Sequence, residues 1–487
     1  MSRLIKTMRS LKFLFLAPLL FYIFSCQREG FITDSNAKLG FSLDTVYFDT
    51  VFTELSTVTR RFTVKNPHKE FIKISSVNLA GGNASVYRIN FDGISGTEFK
   101  DIEIAPKDSL FMFVQATLGN NNDPGILLQQ DSIVFITNHN VQDVDLVAWG
   151  QDVHILRDTI FNTQTWTNDK PYLVLGYAAL DSAQVLTMEA GTKVYFHRDA
   201  YLLIAGSLKV NGTKENPVTF SGDRLEQLYE DIPGQWTGII FYPWSKDNIV
   251  DYAEIKGGLV GVVLQSSFGD QIEVDLTIRN SKIQHISSYG IRAAYSKIFG
   301  YNNLITACGI SAIALEGGGN YEFYHTTIAN WFRYKTRNTP SLLFTNYAIL
   351  TDAEGVNFKE VRPLEKAYFG NSIIYGGNQS EILWDADEDN TIAMNYFFEN
   401  CLLKFDTSII KLGGNPNFSN CINYKDPLFL SVDKYDFHFD TLVNKVSPAR
   451  DIGKFSIAQE YEFDLDGVSR VMDGKPDAGA YEFNFPE

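Results

Sequence analysis

From Phe41 to about Leu156, apolar and polar residues alternate in short runs such as Arg61-Phe62-Thr63-Val64, Phe71-Ile72-Lys73-Ile74 and Ser132-Ile133-Val134-Phe135-Ile136. Alternation sends successive side chains to opposite faces of a strand, so each run has one face to bury. Turn formers separate the runs, at Asn66-Pro67, Gly81-Gly82-Asn83 and Asn120 through Gly125, and no helical period intervenes. Strands at this spacing predict an antiparallel sandwich.

Further along, the chain is organised by repetition. Tyr252, Asn280, Asn302, His325, Asn346, Asn371, Asn400 and Asn420 share a frame, as in Ile278-x-Asn280-x-x-Ile283 and Phe369-x-Asn371-x-x-Ile374. The steps between them are 28, 22, 23, 21, 25, 29 and 20 residues, averaging 24. A leucine-rich repeat would carry Leu-x-x-Leu-x-Leu, and a propeller blade would be about twice as long. The spacing suits one coil of a three-sheeted β-helix instead. Coils stack about 4.8 Å apart, so interior positions should form continuous apolar ribbons. Asn280, Asn302, Asn346, Asn371, Asn400 and Asn420 are then expected at equivalent turns, as a ladder of amides.

Several segments carry family likeness. Met188 to Phe196, Gly206 to Thr213, Pro217 to Phe220 and Trp236 to Phe241 resemble the opening coils of parallel β-helix proteins. Ser447 to Gly453 and Asp473 to Glu482 are similar to the closing segment of bacterial β-helix surface proteins. The N-terminal strands, from Phe62-x-Val64-x-Asn66 to Val147-Ala148-Trp149-Gly150, look like the immunoglobulin-like modules that precede such repeats. The resemblance implies an all-β chain: an immunoglobulin-like sandwich over 40–156, a right-handed parallel β-helix over 160–435 and a C-terminal capping segment over 436–487. Trp149 is expected in the sandwich core.

Arg3, Lys6, Arg9 and Lys12 precede an apolar run from Phe13 to Phe24, which ends at Ser25-Cys26. That run is about half the ~20 residues a spanning helix needs, and the pattern over 1–25 is that of a signal peptide. Tyr22-Ile23-Phe24-Ser25-Cys26 resembles a bacterial lipobox, with Phe24 where a small residue is usual. Gln27-Arg28-Glu29-Gly30 is similar to the tether of exported Bacteroidetes lipoproteins, although only one acid is present. The likeness implies acylation of Cys26, a tether over 26–39 and attachment to the outer membrane through the acyl anchor. Removing four leader cations from a net charge of −16 leaves about −20. Such a surface excludes nucleic acid as a partner and disfavours polyanions unless a cation bridges them. Cys308, Cys401 and Cys421 are odd in number and lack CxxC spacing, which points to buried thiols rather than a metal centre.

For chemistry, the leading acidic segment is Trp384-Asp385-Ala386-Asp387-Glu388-Asp389. On a continuing strand Asp385, Asp387 and Asp389 would share one side next to Trp384, a face for calcium or a sugar; as a turn they would simply be solvated. No other cofactor is implied. Asp464-x-Asp466-Gly467 opens like a calcium loop but lacks the glutamate twelve positions on. His285 and His325 stand without metal-ligand spacing, and neither a nucleophile elbow nor a P-loop occurs. Seven Asp-Ser/Thr-aliphatic tripeptides, beginning at Asp44, Asp49, Asp108, Asp131, Asp158, Asp181 and Asp440, resemble the Bacteroidetes O-glycosylation acceptor.

Two function classes follow. One is a surface binding or structural module for glycan or protein ligands, with Trp244, Trp331 and Trp384 as candidate sugar contacts. The other is a polysaccharide lyase or glycoside hydrolase on the same scaffold. No compact set of acid, base and cation stands out in the repeats, which favours the first.

Overall fold

The computed structural model describes residues 30–119, 127–266, 275–351, 355–389, 391–408, 410–440 and 446–483. Cys26 and the expected signal peptide over 1–25 lie outside them. The chain divides into two units after Asp152, a few residues before the boundary expected from the sequence.

The first unit is an immunoglobulin-like sandwich of two five-stranded sheets. One sheet orders Gly40–Phe41, Arg60–Lys65, Ser109–Ala116, Tyr87–Phe91 and Ile94–Gly96; the other orders Thr45–Phe52, Asn140–Gln151, Leu127–Thr137, Ile72–Leu79 and Glu98–Ile104. Pairing is antiparallel except between Thr45–Phe52 and Asn140–Gln151, which run parallel. Alternation fills the space between the sheets: Phe62, Val64, Ile72, Ile74, Ile133 and Phe135 are all buried. Trp149 departs from its expected place. It is half-buried on the outer face, stacked on the exposed ring of Tyr47 at 6.3 Å.

In the second unit, 26 strands wind as a right-handed parallel β-helix, each pairing with its counterpart one coil later. The first of its three faces contains Val185–Met188, Ser207–Asn211, Asn248–Asp251 and Asp275–Arg279, continuing through the ends of Tyr289–Tyr301 and Ser311–Tyr324 to Leu364–Gly370 and Met394–Glu399. An interior ribbon runs in register along this face through Val210, Val250, Ile278, Gly300, Phe323, Phe369, Phe398 and Phe418. The four phenylalanine rings stack at 5.2, 5.2 and 5.5 Å. Burial of each contributes about 1.5–3 kcal/mol, with stacking adding about 0.5–1.5 kcal/mol per pair. Gly300 interrupts the ribbon because a Cβ there would come within 2.8 Å of the Phe323 ring.

At the corner after this face, Tyr252, Asn280, Asn302, His325, Asn371, Asn400 and Asn420 have φ between 44° and 54°, the left-handed region that asparagine tolerates better than most residues. Asn346 is not among them. Its preceding strand, Leu342–Thr345, belongs to the third face and pairs with Ser311–Leu315 and Ile382–Asp385. Registers at Tyr324↔Gly370 put Asn371 one coil after His325, so the intervening step is a single long coil carrying the hairpin Tyr347–Thr351/Asn357–Val361. The ladder itself is partial. Asn302 Nδ2 donates to Asn280 Oδ1 (3.1 Å) and Asn371 Nδ2 meets His325 Nε2 (3.0 Å), whereas Asn400 Nδ2 donates to Ile452 O (2.6 Å).

The C-terminal segment lies along the side of the helix. Leu304, Ala329, Ile373 and Leu402 turn outward from the second face and pack against Phe429, Phe437, Phe439, Ala449, Leu465, Ala478, Ala480 and Tyr481. The last coils are filled by Trp384, Tyr396, Phe398, Phe405 and Phe418. Among the described residues no helix is long and apolar enough to cross a membrane.

Candidate functional site

Outside the first face, the residues that alternate with the core form rows of their own. Leu276 and Ile278 point inward, so Asp275, Thr277 and Arg279 face out, and later coils repeat this. One outer row runs Thr277, Phe299, Glu322, Tyr368, Phe397; its neighbour runs Arg279, Tyr301, Tyr324, Gly370, Glu399. The result is a half-buried aromatic ribbon with Phe299–Tyr324 at 5.9 Å, Tyr324–Tyr368 at 5.2 Å and Tyr368–Phe397 at 5.9 Å. Gly370 is needed for this approach, since a Cβ would come within 2.9 Å of the Tyr368 ring and 3.1 Å of Tyr324. Tyr461, following the short helix Phe455–Glu460, lies against the ribbon, stacked on Tyr301 at 4.7 Å and 5.0 Å from Tyr324.

Charges along the ribbon are matched locally. Glu322 accepts from Lys366 (2.8 Å) and from Tyr324 Oη (2.8 Å); Glu399 accepts from Lys454 (2.9 Å) and from Tyr368 Oη (2.6 Å). Arg279 pairs with Asp251 at 2.8 Å. Burial pushes both glutamates up, but these bonds outweigh it and hold each below the ordinary glutamate range. Burial and the same bonds push the Tyr324 and Tyr368 phenols up. Toward the N-terminal coils the ribbon opens into a groove of about 480 Å³, lined by Lys209, Asp247, Asp275, Lys297, Phe299 and Glu322 among others. The turn carrying Trp244, 51% exposed beside Tyr242, leads into the groove at Asp247.

The acidic segment expected to form a calcium or sugar face does not do so. Trp384 points inward and packs against Phe344, Tyr396 and Phe405. The strand ends at Asp385, which breaks the alternation on which a shared face depended. Asp385 accepts from Tyr347 Oη, Asp387 is paired with Lys359, and Asp389 accepts from the Thr391 amide (2.9 Å) and hydroxyl (2.6 Å). Trp331 is likewise packed, at 6.0 Å from Phe437. The Asp464 carboxylate is taken up by the amides of Asp466, Val468 and Glu482 at 2.9, 2.7 and 2.7 Å. Among the described residues no three His, Cys, Asp or Glu side chains converge as metal ligands. Reading from sequence missed the ribbon, although its signal was present: Phe299 and Tyr301, Glu322 and Tyr324, and Tyr368 occupy the positions one and three before the corner residue, and these face out whenever the position between them faces in.

No protein-family model matches this chain, and no curated protein is similar to it. Among solved structures, a family 123 glycoside hydrolase from Clostridium perfringens, studied for glycolipid glycan hydrolysis, is 9% identical over 24% of this chain and 30% of its own, with a TM-score of 0.18. The seventh ASH/PapD-like domain of human CEP192 is 10% identical over 26% of this chain and 94% of its own, with a TM-score of 0.17.

Proposed function

We propose that the protein is a cell-envelope module that holds a neutral glycan on the outer side of its first helical face. The observation that carries this reading is the aromatic ribbon of Phe299, Tyr324, Tyr368 and Phe397 running in register beside a polar groove. Rings held at fixed spacing offer apolar faces to sugar rings, and flanking polar groups fix orientation. Lys366, Lys454 and Arg279 are already engaged by carboxylates, and the chain is strongly acidic, so uronate-rich or sulfated chains suit the face poorly. The acyl anchor at Cys26 would fix the module to the outer membrane.

Glu322 and Glu399 give the hydrolase reading a specific foothold, because they lie on the same ribbon. Hydrolysis with paired carboxyls requires one of them protonated as general acid. Both are instead already engaged, Glu322 by Lys366 and Tyr324 and Glu399 by Lys454 and Tyr368, bonds that favour the charged carboxylate over the acid. Binding without turnover is therefore the better-supported reading. The test is a panel of neutral and anionic polysaccharides, with and without calcium, presented to the purified protein and to Tyr324→Ala and Tyr368→Ala. Retention on a neutral glycan that weakens at least tenfold in both variants is expected. Binding indifferent to both substitutions, or steady release of reducing or unsaturated ends abolished by Glu322→Gln or Glu399→Gln, would overturn it.

A further inference from the structure

Cys401 and Cys421 follow Asn400 and Asn420 directly and occupy the same corner one coil apart, as the registers Glu399↔Ser419 and Leu402↔Ile422 require. Their surroundings repeat as well. Cys401 Sγ lies 3.3 Å from Phe369 O and 3.3 Å from Glu399 O; Cys421 Sγ lies 3.3 Å from Phe398 O and 3.4 Å from Ser419 O. Phe369 and Phe398 are themselves register partners, so the two thiols adopt equivalent positions and stack along the helix axis. Adjacent strands are about 4.8 Å apart, inside the ~4.4–6.8 Å Cα window that a disulfide tolerates. The neighbouring Cys401 thiol is the largest influence lowering the Cys421 thiol, whereas burial holds Cys401 up.

We propose that Cys401 and Cys421 are an oxidisable pair that forms a disulfide stapling the last two coils of the helix. Cys421 is half-buried and Cys401 fully buried, which fixes the order of events. The Cys421 thiolate attacks a sulfur of a dithiol/disulfide exchange carrier, forming a mixed disulfide and releasing one carrier thiol. Cys401 then loses its proton and attacks Cys421 Sγ. The Cys401–Cys421 bond forms, the mixed disulfide breaks, and the second carrier thiol leaves. Two protein thiols are thereby oxidised and one carrier disulfide reduced. The strands joined here, Leu402–Leu403 and Ile422–Asn423, are two residues each, and few ladder bonds hold them otherwise. Cys308 is buried elsewhere in the interior and serves as an internal control. The physiological setting rests on the envelope location proposed above, but the chemistry is testable without it.

The full chain is purified, exposed to oxidised glutathione, denatured without reductant, alkylated and mapped by peptide mass spectrometry. The expected result is a linked pair of peptides carrying Cys401 and Cys421, with Cys308 alkylated. Reductant should then lower the melting temperature of the oxidised wild type and leave Cys421→Ser unaffected. Recovery of both Cys401 and Cys421 as alkylated or singly glutathionylated residues would overturn the proposal, whatever the protein binds. So would a linked pair whose reduction leaves the melting temperature unchanged.

Discussion

Arg470 is fully buried, with Nη1 3.3 Å from Glu482 and Nη2 donating to Asn302 Oδ1 at 3.2 Å. Asp464 and Asp477 surround the same guanidinium, so three carboxyls share one cation, with Arg450, Asp451 and the neutral imidazole of His325 nearby. Burial, then repulsion from Asp477, pushes Glu482 up to about 8, and burial pushes Asp477 up to about 6. A carboxyl raised on folding stabilises the fold fully below its unfolded pKa, and that contribution is lost as pH rises through the folded value. For Glu482 the window runs from the ordinary 4.5 to about 8. In thermal unfolding between about pH 5 and pH 9, the stability of Glu482→Gln relative to the wild type should therefore rise with pH. His438, raised by its bond to Asp466, falls off in the same direction, which is why the comparison is between wild type and variant. Equal slopes in the two proteins would show that Glu482 titrates as it does in an unfolded chain. The sequence displayed the Asp464, Arg470 and Glu482 pattern, but the burial that gives it meaning comes from a tail returning to Asn302, a contact across 168 residues.

At the scale of elements, the repeat was legible because inward alternation and left-handed corners recur locally. It misled at Asn346 for the same reason. Phe344 also points inward, but from the third face, so the frame Phe-x-Asn reappears at another corner and its step falls within the spread of true coils. What exposes the false step is Ile349, which is 60% exposed in the hairpin. The base of that hairpin is narrow: Arg362 N donates to Asn346 O at 2.8 Å, and Tyr347 pairs with Val361. Replacing residues 347–361 with a short glycine-containing turn should preserve the far-ultraviolet circular dichroism and a single cooperative melt, lowering the midpoint only slightly, since the hairpin forms its own two-stranded sheet. A non-cooperative melt would mean that the coil depends on the hairpin. Trp384 teaches a related lesson: its identity suggests a platform, but an end coil needs bulk, and it is spent filling the interior.

For the molecule as a whole, both the alternating first unit and the coiled second were readable from period alone, whereas the side on which the tail lies was not. The outward apolar residues Leu304, Ala329, Ile373 and Leu402 look like ordinary core in the sequence, and only the register reveals that they need a cover. If Cys26 is acylated as proposed, Cys26→Ser should move the protein from the membrane to the soluble fraction, and unchanged fractionation without acyl mass on the N-terminal peptide would refute the anchor. The glycan is proposed to bind on the outer aromatic ribbon. Hydroxyl-radical footprinting of the full protein, with and without the neutral glycan retained most strongly in the panel, reads aromatic side chains directly. Protection is expected to concentrate at Phe299, Tyr324, Tyr368 and Phe397. Unchanged labelling there, with protection instead at the sandwich groove lined by Thr59, Arg88, Asn90 and Gln115, would contradict it.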